Sequence, residues 1–222
     1  MITVTKIYLV RHCQAQGNVK RIFQGSSDTD ISELGAKQLE GLSRRFEGVK
    51  LDRVYSSPKL RALKTAAAIV GTKGLEIYKR EDLRELHGGV VEGRSFDEIK
   101  EKYPDLWDKW CNHPQDFAPD GGEPMREAYD RIWNEIMALA RENKGRTIAA
   151  ATHGGVLRLL CCRLFFHDIE RLNEADYAEN TGVTLLEFDN ALTPTVTLYN
   201  DVSHLKGDCR SSFVMLNPED KK

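Results

Sequence analysis

Several features that would narrow the function are missing from this 222-residue sequence. It contains no apolar run of about 18 residues or more, so it predicts no membrane-spanning helix. Its 32 Lys and Arg residues against 34 Asp and Glu residues leave a formal net charge of −2. The basic excess typical of nucleic-acid-binding proteins is therefore absent. We expect neither a membrane nor a nucleic acid as a partner.

Paired cysteines are also missing. The five cysteines are an odd number, and none of them forms a C-x-x-C motif. This pattern is typical of reduced thiols rather than of a disulfide framework, and it favours a cytoplasmic location. The first 16 residues lack both a basic leading region and an A-x-A-like cleavage site, so we expect no signal peptide.

The order of predicted elements indicates an α/β protein. Short β-rich runs predict strands at residues 7–10, 52–56, 147–152, 181–188 and 195–198. Apolar residues at helical spacing predict helices at residues 32–46, 60–70, 124–142 and 156–166. Ser32 is a plausible N-cap, and Ser57-Pro58 is expected to cap and start the 60–70 helix. Strands that alternate with helices form βαβ units, which predicts a mostly parallel central sheet.

Polar groups follow three of the predicted strands. Arg11-His12 ends the first strand, Arg61 lies just after the second, and His153 ends the 147–152 strand. In parallel sheets, ligands bind beyond the carboxyl ends of the strands. Two arginines, two histidines and helix N-termini at one sheet edge would attract a dianion such as phosphate.

These residue types also suggest a reaction. A histidine beside two arginines is favoured in its neutral form, which leaves a ring nitrogen free to attack phosphorus. Phosphoryl transfer further needs charge compensation at the phosphoryl oxygens and an acid for the leaving oxygen. The arginines would repel a cation, so we expect no metal and no cofactor at this position.

Five sequence blocks resemble the histidine phosphatase (phosphoglycerate mutase-like) superfamily. Residues 9–18, L-V-R-H-C-Q-A-Q-G-N, are similar to its L-V-R-H-G-x-T/A-x-x-N signature. The other four blocks follow in the family's order at residues 31–38, 56–66, 83–93 and 152–158. The resemblance implies a three-layer α/β/α fold and places the chain in the phosphatase branch. It also implies a single domain over residues 1–222. Within it, Pro104, Pro114, Pro119 and Gly121-Gly122 predict an irregular chain at about 85–122, which is the expected substrate-cap segment.

The resemblance implies a role for each matching residue. His12 would be the nucleophile that becomes phosphohistidine, and Glu85 would be the proton donor and then the base for water. The phosphoryl oxygens would be held by Arg11, Arg61 and His153. The expected substrate contacts are Asn18, Gln24, Gly25 and Gly154.

Two positions depart from the family pattern. Cys13 stands where the family usually has glycine, and Val91 replaces a tryptophan, which thins one wall of the site. Neither departure removes a group that does chemistry. The aromatic residues of the 85–122 segment are expected to pack that segment or to wall the substrate entrance.

Three functions are compatible with these residues. The first is a metal-independent phosphomonoesterase acting on small phosphorylated metabolites. The second is a bisphosphoglycerate-dependent mutase, although the stretch between Glu85 and His153 is short, as in phosphatases. The third is a non-catalytic phospho-ligand binder, which would require a lost catalytic residue. We favour the phosphatase, as either a monomer or a homodimer. The core residues do not identify its substrate, because phosphatases for phosphoserine, phosphosugars and α-ribazole phosphate share them.

Overall fold

The computed structural model describes residues 4–211, and its centre is a six-stranded sheet. The strands are β1 (Thr5–Arg11), β2 (Arg53–Ser56), β3 (Ile77–Lys79), β4 (Thr147–Thr152), β5 (Val183–Phe188) and β6 (Pro194–Asp201). Their order across the sheet is β3-β2-β4-β1-β5-β6. The first four in this order are parallel, whereas β5 runs antiparallel to β1 and β6 runs antiparallel to β5. The predicted mostly parallel sheet is confirmed.

Helices cover both faces of the sheet. They are α1 (Gln16–Val19), α2 (Glu33–Phe46), α3 (Leu60–Val70), α4 (Phe96–Lys102), α5 (Pro104–Asn112), α6 (Met125–Glu142) and α7 (Gly154–Phe165). Side chains alternate between the two faces of a strand. Accordingly Ile7 of β1 joins the core that includes α6 and α7, while Val10 joins the core that includes α2 and α3. The result is the expected three-layer α/β/α architecture.

The register of the parallel strands places their carboxyl ends side by side. Arg11 of β1 pairs with Thr152 of β4, and Ser56 of β2 pairs with Ala151. Just past these ends, the His12 amide donates to the Thr152 carbonyl at 2.8 Å. The residues that follow all three strands therefore meet at one edge of the sheet.

Several predicted boundaries are corrected. Helix α7 begins at Gly154 rather than at Val156, because the two glycines are helical and do not break the chain. The N-cap of α3 is Lys59, not Ser57, since the prolyl residue lies before the helix rather than in its first turn. Ser32 does cap α2, accepting a hydrogen bond from the Gly35 amide at 3.0 Å.

The 85–122 segment contains more regular structure than predicted. Its prolines suggested an irregular chain, but Pro104 occupies the first turn of α5, where a missing N–H costs nothing. Ser95 begins α4 with a reciprocal capping box that includes Glu98. The segment is therefore a pair of short helices joined to turns. No helix within residues 4–211 is long and apolar enough to cross a membrane.

Candidate active site

His12 lies at the end of β1 with its tautomer fixed by the backbone. Its Nδ1 is 2.7 Å from the Cys13 carbonyl oxygen, which can only accept a hydrogen bond. The Nδ1 atom must therefore carry the proton, which leaves Nε2 with a free lone pair. The imidazole is only 4% exposed. The sheet edge thus presents a neutral imidazole with one unprotonated nitrogen.

The surroundings of His12 keep it neutral. Burial, together with the positive charges of Arg61 and Arg11, holds the pKa of His12 well below its ordinary value. Burial also lowers the pKa of Arg11 to about 10, which leaves its guanidinium charged at neutral pH. One terminal nitrogen of Arg11 donates to the Ala178 carbonyl at 2.5 Å. The site therefore combines a neutral imidazole with fixed positive charge.

His153 is the N-cap residue of α7 and lies beside His12. The ring centroids of the two histidines are 5.2 Å apart. His153 is fully buried, and its Nε2 is 2.7 Å from the Ser57 hydroxyl. The Nδ1 atom has no hydrogen-bond partner among the described residues. Burial and the nearby Arg61 charge hold the pKa of His153 well below its ordinary value.

Arg61 comes from the first turn of α3 and is fully buried. Its two terminal nitrogens donate to backbone carbonyls of residues 24–27, at 3.0 Å to Ser27 and at 3.0 Å to Gln24. Its Nε has no hydrogen-bond partner within residues 4–211. Arg61 therefore holds the 24–28 loop with its terminal nitrogens, while its Nε–H remains available to a ligand.

Glu85 lies across the cleft from His12. Its carboxyl oxygens accept hydrogen bonds from the Gly155 amide at 3.0 Å and from the Leu86 amide at 3.1 Å. Burial raises the pKa of Glu85, although the two amides and the arginine charges oppose this. The chain before Glu85 is fixed, because the Thr152 hydroxyl donates to the Leu83 carbonyl at 2.8 Å. Glu85 is thus a half-buried carboxyl held in place from two sides.

These residues border an open cleft of about 550 Å³. Six of the nine predicted site residues line it: Arg11, His12, Asn18, Gln24, Glu85 and Gly154. The other three lie directly behind the lining. Arg61 and His153 are fully buried beside His12, and Gly25 contributes its backbone, accepting from Arg61 at 3.3 Å.

Asn18 and Gly154 show how the backbone shapes this cleft. The Asn18 side-chain oxygen accepts from the Ala15 amide at 2.9 Å, which fixes the short helix α1 against the cleft. At Gly154, an added Cβ would lie 3.2 Å from the Arg11 Nε atom. A side chain where α7 starts would therefore crowd the Arg11 guanidinium, which packs onto the bare glycine backbone.

Two residues of the site carry no motif signal that sequence reasoning could use. Tyr177 lines the cleft, and its hydroxyl accepts from Arg158 at 3.2 Å. Asn180 is fully buried and donates to the His12 carbonyl at 2.9 Å. Both lie in the loop between α7 and β5, which has no periodic pattern. Only the folded chain brings this loop behind β1.

Glu92 is the next carboxylate after Glu85 in the sequence, and the structure gives it a different position. Its carboxylate accepts from the amides of Gly25, Ser26 and Ser27 at 2.9–3.0 Å. It also accepts from the Ser27 hydroxyl and the Gly88 amide, at 2.7 and 2.9 Å. Burial opposes the effect, yet these bonds keep the pKa of Glu92 below its ordinary value. Glu92 therefore fastens the 24–28 loop to the segment after Glu85.

The two departures from the family pattern, Cys13 and Val91, are both buried and place no polar side-chain group in the cleft. Cys13 contributes its carbonyl to His12 and its amide to the Thr65 hydroxyl, at 3.1 Å, while its thiol is fully buried. Burial raises the pKa of that thiol to about 11. Val91 is fully buried in the core beneath the cleft. Within residues 4–211, no three His, Cys, Asp or Glu side chains are grouped to hold a metal ion.

Comparison with known proteins gives the family. Residues 7–202 match the model of the histidine phosphatase superfamily, branch 1. The chain is 32% identical over 207 residues to a metal-independent phosphoserine phosphatase of Arabidopsis thaliana, covering 91% of this chain and 84% of that protein. It is 31% identical over 187 residues to a 2,3-bisphosphoglycerate-dependent phosphoglycerate mutase of Bartonella tribocorum, covering 81% and 90%. The solved structure of Bacillus stearothermophilus YhfR superposes with a TM-score of 0.86 at 34% identity, covering 90% of this chain and 98% of that one. The chain belongs to the histidine phosphatase superfamily.

Proposed function

We propose that this protein is a phosphomonoesterase that hydrolyses small phosphorylated metabolites through a phosphohistidine intermediate. The observation that carries the proposal is the hydrogen bond from His12 Nδ1 to the Cys13 carbonyl. It leaves Nε2 unprotonated next to two buried arginines, with a half-buried carboxyl lining the same cleft. A nucleophile, charge compensation and an acid are the three requirements for this reaction.

In the first step, the lone pair of His12 Nε2 forms a bond to phosphorus as the ester P–O bond breaks. Glu85 gives its proton to the leaving oxygen, so the product leaves as a neutral alcohol. In the second step, Glu85 takes a proton from water while the water oxygen attacks phosphorus. The P–N bond breaks, its electron pair returns to His12, and inorganic phosphate is released. Both groups end in their starting protonation states.

The phosphoryl oxygens are held by Arg11, Arg61 and His153 in this proposal. The Ser57 hydroxyl accepts from the Lys59 amide and can donate its own proton to His153 Nε2. The proton of His153 is then on Nδ1, which has no protein partner within the described chain, as is also true of Arg61 Nε. A bound phosphoryl group would satisfy both donors. Buried donors are usually paired, so these two support an anion at this position.

Because the arginines compensate the phosphoryl charge, the reaction needs no divalent cation. We expect hydrolysis of 4-nitrophenyl phosphate to persist in EDTA. Vanadate and inorganic phosphate should inhibit it, since both fit an oxyanion pocket. Loss of activity in EDTA that Mg²⁺ or Zn²⁺ restores would contradict the proposal.

A mutase is the second candidate, because a relative of 31% identity carries that name. A mutase must hold the second phosphate of a bisphosphorylated intermediate, and Arg11 is the single arginine or lysine among the described residues that line the cleft. Given 3-phosphoglycerate and a bisphosphoglycerate primer, the protein should release phosphate rather than accumulate 2-phosphoglycerate. Faster isomerisation than phosphate release would make it a mutase. Binding without either reaction would make it a phospho-ligand binder.

The proposal also covers the number of domains, the cellular compartment and the oligomeric state of the enzyme. We expect one domain over residues 1–222, because one sheet and its two covering layers already involve residues 4–211. The five cysteines are free thiols, which supports a reducing compartment such as the cytoplasm. Light scattering will distinguish the expected monomer or homodimer.

A further inference from the structure

The lining of the cleft has two chemically different parts. One part, called the polar end, carries Arg11, His12, Asn18 and Glu85, which serve the phosphoryl group in the proposed function. The other part consists of five apolar side chains: Ile22, Phe23, Leu86, Phe96 and Trp110. Gln24 and Tyr177 also line the cleft. Among the lining residues that the structure describes, every Lys, Arg, Asp, Glu or His side chain belongs to the polar end. We call the five apolar side chains the apolar wall.

The apolar wall is rigid. The rings of Phe23 and Trp110 pack edge to face with centroids 5.1 Å apart, and Trp110 packs on Phe117 at 4.8 Å. The backbone is also tied together, because the Phe23 amide donates to the Arg94 carbonyl at 2.8 Å. The Phe96 amide donates to the Arg21 carbonyl at 3.0 Å. The wall is therefore a preformed surface, whose ordering costs a ligand little free energy.

A second observation extends the same surface. Behind the cleft, Phe23, Phe96 and Trp110 of the wall pack with Val91, Ile99, Trp107 and Phe117. All seven of these described side chains are apolar, and they leave no space for a water molecule between them. Apolar surface thus continues beyond the wall into the 96–117 segment.

This arrangement selects among phosphate esters. A leaving group next to the phosphoryl group meets the five apolar side chains over much of the remaining lining. A carboxylate or ammonium there would lose water without gaining a partner of opposite charge, which is costly. A hydrocarbon skeleton would instead remove apolar surface from water on both sides. An aromatic ring could also pack on Phe96 or Trp110 with edge-to-face geometry.

We propose that the preferred substrates are monophosphate esters of uncharged apolar alcohols, in particular those with an aromatic ring close to the ester oxygen. This substrate class rests on the proposed phosphatase activity. It differs from phosphoserine, the substrate class named for the Arabidopsis relative. The apolar wall, rather than the polar end, determines this preference.

The test compares benzyl phosphate with phosphoserine, with ethyl phosphate as a small neutral reference. All three are primary alkyl esters, so the need for a proton on the leaving oxygen is similar. We expect kcat/KM for benzyl phosphate to exceed that for phosphoserine by about tenfold or more, as a hydrophobic contact allows. Equal values, or a preference for phosphoserine, would overturn the inference.

Two variants show whether the wall is responsible. Phe96→Ala removes a half-buried ring, and Ile22→Thr replaces the ethyl group of the side chain by a shorter, polar hydroxyl. Each should lower kcat/KM for benzyl phosphate by about five- to tenfold and leave that for ethyl phosphate within about twofold. The matched control is Phe165→Ala, because Phe165 is 47% exposed and packs on Tyr199 instead of the cleft. Equal losses on both esters, or no loss on either, would contradict the assignment.

The binding of phosphonates separates this inference from the proposed function. If no ester, including 4-nitrophenyl phosphate, is hydrolysed, the phosphatase proposal fails. Calorimetry with benzylphosphonate and 3-phosphonopropanoate still decides the ligand class, because neither compound can be hydrolysed. Tighter binding of benzylphosphonate supports the apolar wall as the selective surface. Equal or tighter binding of 3-phosphonopropanoate overturns it.

Discussion

The polar end of the cleft and the apolar wall are built in different ways. The polar end lies at the ends of β1 and β4 and the start of α3, where side chains such as Arg11 and Arg61 form hydrogen bonds with the backbone. The wall comes from the 20–31 loop and the 86–117 segment, whose members are spaced irregularly along the chain. Chemistry at phosphorus requires particular groups at particular atoms, whereas an apolar wall requires only bulk and fit. Sequence motifs therefore predict the polar end, whereas no motif predicts the apolar wall.

The largest expected effect comes from removing the nucleophile at the polar end. His12→Ala should lower phosphatase activity by at least about 10⁴-fold, because no covalent intermediate can form. Labelled substrate should give an acid-labile phosphoenzyme with the wild type and none with the variant. Unfolding in urea checks that the variant is folded. A phosphoenzyme that survives in His12→Ala would place the nucleophile elsewhere.

Replacing the acid should have the next largest effect. Glu85→Gln keeps the shape but removes the proton, so the rate on alkyl phosphates should fall by about 10²–10⁴-fold. An aryl phosphate with an acidic phenol needs no proton and should lose much less in its first step. Because Glu85 also activates water, the variant should give a burst of phenol followed by trapped phosphohistidine. Equal losses on both ester types without a burst would show that Glu85 is only structural.

The pH dependence should reflect the same two groups. His12 must be neutral and its pKa is low, so acidification should leave its nucleophile available well below pH 6.5. Glu85 must be protonated and its pKa is raised, so kcat/KM for alkyl esters should fall as the pH rises through that value, by about tenfold per unit. Glu85→Gln on the same ester should lose this alkaline decline. An unchanged decline would assign it to another group.

A smaller effect is expected at Glu92, which joins the two regions. Glu92→Ala removes an acceptor for five hydrogen bonds and should lower the free energy of unfolding by about 2–4 kcal/mol in urea titrations. KM should rise more than kcat falls, because the 24–28 loop loosens. Since the folded-state pKa of Glu92 is depressed, its stabilisation is present above the unfolded value and is lost as the pH falls through the folded value.

Glu174→Ala is the matched control for this prediction, since Glu174 is an exposed carboxylate that pairs with Arg171. Its effect on the free energy of unfolding should stay below about 1 kcal/mol. If both variants lose the same stability, Glu92 contributes no more than a surface charge.

The smallest effect is expected at Cys13, even though it adjoins the nucleophile. Its interactions with His12 and Thr65 use backbone atoms, so Cys13→Ala should keep kcat/KM within about twofold. Because the thiol is buried and its pKa is about 11, iodoacetamide at pH 7.5 should not inactivate the wild-type enzyme. Rapid inactivation that Cys13→Ala prevents would show that the thiol is accessible and that the cleft opens more widely.

Particular elements show how far the sequence could be interpreted. Helix α2 was predicted with its cap, because Ser32 precedes a long apolar period and local hydrogen bonding decides a helix start. Strand β3 was missed, since it is only three residues long and two of them are exposed. Helices α4 and α5 were missed because their prolines and their short lengths conceal the period.

The sequence by itself determined the sheet, the family and the residues that meet at the strand ends. These follow from local patterns and from the rule that parallel strands gather their carboxyl ends at one edge. Only the tertiary structure decided the tautomer of His12, the loop held by Arg61 and Glu92, and the bracing of His12 by Asn180. It also decided the composition of the apolar wall. Each of these features depends on contacts between segments that are distant in the sequence. Such contacts, and the burial and neighbouring charges that come with them, form only when the chain folds.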